Sequence, residues 1–199
     1  MTDIADEILD WAASRVVGPH IDSYNRPMAL AEALKEAPTP AHVWVTFEVG
    51  LSGCDRMPDE VESDILDVLM AQPLPGVEQL NGLNQTFFDS LPDVITIFRG
   101  AQPNRSLGMS WTTDIMVASL FARGHRGYRV PDGRIVQTTI RKCDILTVSQ
   151  DRGESTIVVD PWMILEAGRI SSVEASKVVA VSTLHPQWPP EIAWGRPIH

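Results

Sequence analysis

Three short stretches of this chain hold residues whose types and spacing suit chemistry: an arginine after an apolar run, a hydroxyl pair before a helix, and a glutamate before another apolar run. Arg99 follows residues 94–98 and precedes Gly100. A guanidinium there exits to solvent, pairs with an acid or meets an anion. It suits phosphate because it offers paired donors in a fixed plane and stays charged. Gly100 would let a ligand approach the backbone closely. Ser110 and Thr112 flank Trp111; in an extended segment the two hydroxyls share one face and the indole takes the other. Such a pair can bond a ribose or orient a carboxylate, and the same segment, with Thr113 and Asp114, can cap a helix. Glu154 and Thr156 again differ by two, and the same rule sets both on one side of the entrance to residues 157–159. A carboxylate fixed there could stabilise positive charge developing on a sugar. It also reads as a solvated turn glutamate beside Arg152.

The elements that must position these groups can be read from periodicity. Residues 3–17 carry Ile4, Ile8, Leu9, Trp11, Ala12 and Val16 at helical spacing, ended by Gly18-Pro19. A second helix is predicted over 27–37, with Pro27 in its first turn. Residues 42–50 fit strand or helix, because Val43, Val45 and Phe47 alternate while Trp44 is also apolar. Asp59 is expected to cap a third helix with Val61, Ile65, Leu66, Val68 and Leu69 on its buried face. A short helical turn is expected near 83–90. Residues 94–98 read as a strand covered on both faces. Asp114 or Thr113 can cap a helix over 115–123, on which Ala118, Phe121 and Ala122 share one side and Phe121 is expected in the core. Strands follow at 135–140, 145–148, 157–159 and 178–182. Helices first and strands later imply an α+β protein.

Length and charge narrow the classes further. The 199 residues are enough for a sizeable core and are expected as one domain, with a mainly helical acidic portion over 1–93, a core over 94–184 and a Pro/Trp tail over 185–199. Net charge is −10: residues 1–98 hold 4 Lys/Arg and 17 Asp/Glu, whereas residues 99–199 hold 12 and 9. That field disfavours extended nucleic-acid binding but permits a small phosphate ligand in a local basic pocket. The acidic start and the lack of a membrane-length apolar run point to a cytoplasmic protein with no membrane partner. Cys54 and Cys143 are expected as reduced thiols. No nucleophile elbow, dinucleotide fingerprint or phosphate loop is present, and His20, His42, His125, His185 and His199 lack metal spacing. The basic run 123–129 could touch a phosphate or a macromolecular target, or simply balance the acidic half as a solvated loop.

Taken in order, Phe98-Arg99-Gly100, the Gly108-Met109-Ser110-Trp111-Thr112 segment with its Ala118…Phe121-Ala122 helix, and the strand led by Glu154 resemble the ADP-ribosyltransferase superfamily. The likeness is to its Arg–Ser–Glu class, related in fold to cholera-toxin-like enzymes, and it covers residues 94–184. It implies a split mixed or antiparallel sheet holding NAD in a cleft, with a protein target as the second partner. Arg99 would contact the NAD phosphates and adjacent ribose. Gly100, Trp111, Thr112 and Phe121 would line the cofactor site, Thr112 in the third position of a Ser-Thr-Ser-like motif. Ser110 would help position a catalytic glutamate, which stabilises the oxocarbenium ion as nicotinamide leaves.

One departure concerns the acid. Arginine-modifying members carry Glu-x-Glu or Gln-x-Glu before the strand, the second acid being catalytic. Here the triplet is Glu154-Ser155-Thr156. Aligned without a gap, Thr156 holds the catalytic position and Glu154 the target-contacting one. Alternatively the loop is shifted by two and Glu154 is catalytic, or the chain is a disabled form that binds NAD or a partner without turnover. A third class of reading is an interaction protein whose acidic helical half does the work.

Overall fold

The computed structural model describes residues 4–54, 57–80, 82–102, 107–124, 132–166 and 171–174. The chain is α+β and divides into two compact units, Met1–Gln85 and Thr86–His199, where the sequence predicts one domain with a change of character at 93.

The first unit is helical. It comprises α1 (Ile4–Val16), α2 (Arg26–Glu36), α3 (Pro40–Leu51), α4 (Asp59–Met70) and a 3-10 turn over Gly76–Gln79. Pro27 stands in the first turn of α2, where its missing N–H is no loss. Thr39 caps α3 by accepting from the His42 N–H at 3.4 Å, and Pro40 follows it. That start resolves residues 42–50 as helix. Leu30 and Leu34 on α2, Val43 and Phe47 on α3, and Val61, Ile65 and Leu69 on α4 are buried at four-residue steps. Leu66 and Val68 are only half-buried, and Pro58, not Asp59, holds the cap position of α4. Trp44 adds an indole N–H bond to the Leu74 carbonyl at 3.2 Å. A fifth helix, α5 (Gly82–Ser90), spans the division between the units.

The second unit is a six-stranded antiparallel sheet in the order β4-β5-β2-β1-β3-β6. Its elements are β1 (Val94–Ala101), β2 (Ser110–Thr112), α6 (Ile115–Arg123), β3 (Arg134–Arg141), β4 (Ile145–Ser149), β5 (Thr156–Val159), α7 (Pro161–Glu166) and β6 (Ser171–Glu174). β1 and β3 pair along their whole length, from Val94↔Arg141 to Ala101↔Arg134. β1 and β2 share one registered pair, Phe98↔Thr112. The sheet therefore opens between its two central strands. The first half of β1 is not covered on both faces: Ile95 and Ile97 are buried, but Val94 is 62% exposed and Thr96 is exposed. The turn between β3 and β4 is clamped by Arg141, whose Nε and Nη2 donate to Asp144 at 2.9 and 2.7 Å. These bonds hold the Asp144 carboxyl below the usual carboxylate range. Among the described residues no helix is long and apolar enough to cross a membrane. The strand expected at 178–182, the tail over 185–199 and residues 125–129 of the basic run lie outside the described residues.

Candidate functional site

The alternation of each strand decides which side chains meet. Phe98 stands opposite Thr112, and Thr112 opposite Thr156. Directly opposed residues share a face, so Phe98, Ser110, Thr112 and Thr156 lie on one side. Ile97, Arg99 and Trp111 lie on the other. The expectation that the two hydroxyls share a face away from the indole holds. Arg99 and Ser110, however, leave the sheet on opposite faces.

They meet through the backbone. The Met109 carbonyl accepts from the Val159 N–H of β5 at 3.0 Å. The next carbonyl, that of Ser110, therefore points toward β1. There the ladder has opened, and Arg99 Nη1 donates to it at 2.6 Å. The guanidinium replaces a strand-to-strand bond and spans the split. Gly108 makes room for it: a Cβ at that position would fall 2.3 Å from Arg99 Nη2. The role of Gly108 is not read from the sequence, where its one signal is a glycine two residues before the hydroxyl pair.

Trp111 is 2% exposed, and its indole N–H donates to the Gly108 carbonyl at 2.7 Å. It packs the loop that carries Gly108, a structural role where the resemblance implies a cofactor contact. Thr112 is also buried. Its Oγ1 donates to the Glu154 carbonyl at 2.6 Å and accepts from the Asp114 N–H at 3.0 Å. One hydroxyl thus ties the end of β2 to both the start of α6 and the Glu154 loop. Asp114 then caps α6 by accepting from the Met116 N–H at 2.7 Å.

α6 lies directly on β1. A Cβ on Gly100 would fall 2.1 Å from the Ala118 carbonyl oxygen and 2.4 Å from the Ala122 nitrogen. The glycine therefore serves the approach of a helix, where the sequence suggests the approach of a ligand. Ala118 and Ala122 are buried with Ile135. Phe121 is not in the core as expected: it is 39% exposed, its Cβ next to the Gly100 position. At the helix end, Arg123 Nη2 donates to Ser119 Oγ at 2.9 Å.

The extended backbone that would set Glu154 and Thr156 on one side is absent between them. Glu154 is helical in φ and ψ, and Ser155 is left-handed at φ 46°. With Arg152 at φ 57°, two non-glycine residues hold this conformation within four positions. Each costs on the order of 1–3 kcal/mol, so neighbouring bonds must impose it. They do: the Thr112 hydroxyl holds the Glu154 carbonyl, the Thr113 N–H holds the Ser155 carbonyl at 3.2 Å, and Gln150 Nε2 donates to Ser155 Oγ at 3.3 Å. Gln150 has no sequence signal for this task. Thr156, by contrast, is an ordinary strand residue opposite Thr112 and Ser149.

The arrangement brings Arg99, Gly108 and Ser110 together at the opening in the sheet, and fastens the half-buried Glu154 to the far end of β2. Chemically it offers a fixed cation on one face of the sheet, the Ser110 hydroxyl on the other, and one carboxylate in the loop beyond β2. No family model, curated protein or solved structure matches the chain.

Proposed function

We propose that the chain is an NAD-dependent ADP-ribosyltransferase acting on a protein target, with Glu154 as its acid. The observation that carries this reading is the opening between β1 and β2, spanned by the Arg99 guanidinium on the Ser110 carbonyl. A split sheet with a fixed cation at the split is what an anionic dinucleotide needs, because a guanidinium held by the backbone pairs with phosphate without first being ordered. The strained loop that presents Glu154 adds to it, since strain of this kind gathers at sites where geometry is enforced. In this reading the bond between nicotinamide and ribose C1′ breaks with its electron pair leaving on nicotinamide. The Glu154 carboxylate stabilises the cationic sugar. A nucleophile of the target then bonds to C1′ and gives up its proton.

A second reading has its own support. Thr156 lies on the face of Ser110 and Thr112, and threonine supplies no fixed charge. On that basis the chain binds NAD without turnover. Titration with NAD and assay of nicotinamide release in the presence of a cell lysate separate the two. Binding with release that falls about two to three orders of magnitude in Glu154→Gln supports the enzyme. Binding without release, restored by Thr156→Glu, supports the second reading. Absence of NAD binding ends both.

A further inference from the structure

The helical unit takes no part in the chemistry proposed above, yet it carries a groove. The opening, about 500 Å³, lies between the end of α2, the turn into α3 and the second half of α4. Leu34, Pro38, Val43 and Val68 give it apolar walls, and Asp64 and Asp67 stand on its rim. Its size is that of a site for one or two large side chains or a small ligand. The rim decides the sign of what enters. Lys35 is paired with Asp64 at 2.6 Å, whereas Asp67 makes no ion pair among the described residues. Farther along α4, Asp59, Glu60 and Glu62 extend the acidic side, and the helix has no basic residue. Residues 1–85 hold 4 Lys/Arg and 15 Asp/Glu. A phosphate or carboxylate ligand would enter against this field, whereas a cation is drawn to it.

We infer that this groove docks a cationic segment of a partner protein, one that places an apolar side chain between lysines or arginines. The apolar walls would take the side chain, and Asp67 on the rim would pair with a flanking charge. A free polyamine uses only the second half of this surface, so a peptide fits it better.

Fluorescence anisotropy with the full chain tests this, using labelled peptides of lysine and leucine, of lysine alone, and of glutamate and leucine. The lysine–leucine peptide is expected to bind at least about tenfold more tightly than lysine alone, and the glutamate peptide not to bind. Asp64→Asn with Asp67→Asn, and separately Ala71→Trp, are each expected to weaken binding about tenfold or more. Ala71 is exposed at the end of α4 and lines the groove, so its replacement fills the opening without changing charge. Asp59→Asn with Glu60→Gln removes the same charge away from the groove and is expected to change binding less than about twofold. Equal losses in the two charge pairs, equal binding of the two lysine peptides, or tight binding by a well-folded Ala71→Trp protein would each overturn the inference.

Discussion

The two units make their tight points from different materials. In the helical unit the closest approaches are side chain on backbone: a Cβ on Gly50 would meet Leu30 Cδ1 at 2.8 Å, and one on Gly53 would meet the Arg26 guanidinium. Its ion pairs, Arg15 with Glu36 and Lys35 with Asp64, join side chains at the surface. In the sheet unit the closest approach is backbone on backbone, α6 on Gly100, and the polar ties of Arg99, Trp111 and Thr112 run to carbonyls within the fold. Side-chain tips can shift, whereas backbone cannot. In the sheet unit Gly108 under the Arg99 guanidinium is a contact of the side-chain kind, whereas Gly100 under α6 is one that cannot relax.

The largest expected effect separates the two kinds of contact. Gly100→Val forces atoms into the backbone of α6, and should lower stability by about 3 kcal/mol or more. Gly50→Ala meets the Leu30 side chain from Cγ to its methyls, and should cost about 1 kcal/mol. Thermal or denaturant unfolding measures both, and equal losses would remove the distinction between the units.

Next in size is the Thr112 hydroxyl. Thr112→Val keeps the shape but strips partners from the Glu154 carbonyl and the Asp114 N–H, at a cost of about 1–3 kcal/mol. Thr112→Ser should retain most of the stability. Hydrogen exchange should show the Val variant opening at residues 150–155 more than elsewhere. Uniform loosening would mean that Thr112 only packs.

The smallest effect belongs to a surface tie in the sheet unit, which should behave like those of the helical unit. The Arg141 bonds hold Asp144 below the ordinary carboxylate range. Its stabilisation is therefore complete above that range and is lost as pH falls through the depressed value. Asp144→Asn should destabilise the protein slightly at neutral pH, and the gap to the wild type should close in acid. A gap that persists in acid would show that charge is not what the pair contributes.

Much of this fold is legible in the residues. Asp114 and the apolar spacing after it mark α6 to its ends, because cap and periodicity agree. The strands at 134–141, 145–149 and 156–159 lie within a residue or so of their apolar runs. Residues 42–50 are ambiguous by alternation alone, and Thr39-Pro40, a cap followed by a first-turn proline, is the signal that settles them. The site is less legible. The face of Glu154 depends on Ser155 adopting a left-handed conformation that no glycine announces, imposed by bonds from Thr112, Thr113 and Gln150. The Arg99 contact depends on where β1 and β2 part, which is a property of pairing and not of either strand.

The central claim, that Glu154 acts as the acid on NAD bound at the split, is tested most directly by nicotinamide release. The intact protein, supplied with NAD and a cell lysate, should release nicotinamide above background. Glu154→Gln should bind NAD as before but release it about two to three orders of magnitude more slowly. Release that is unchanged in Glu154→Gln, or absent from the intact protein, would contradict the account.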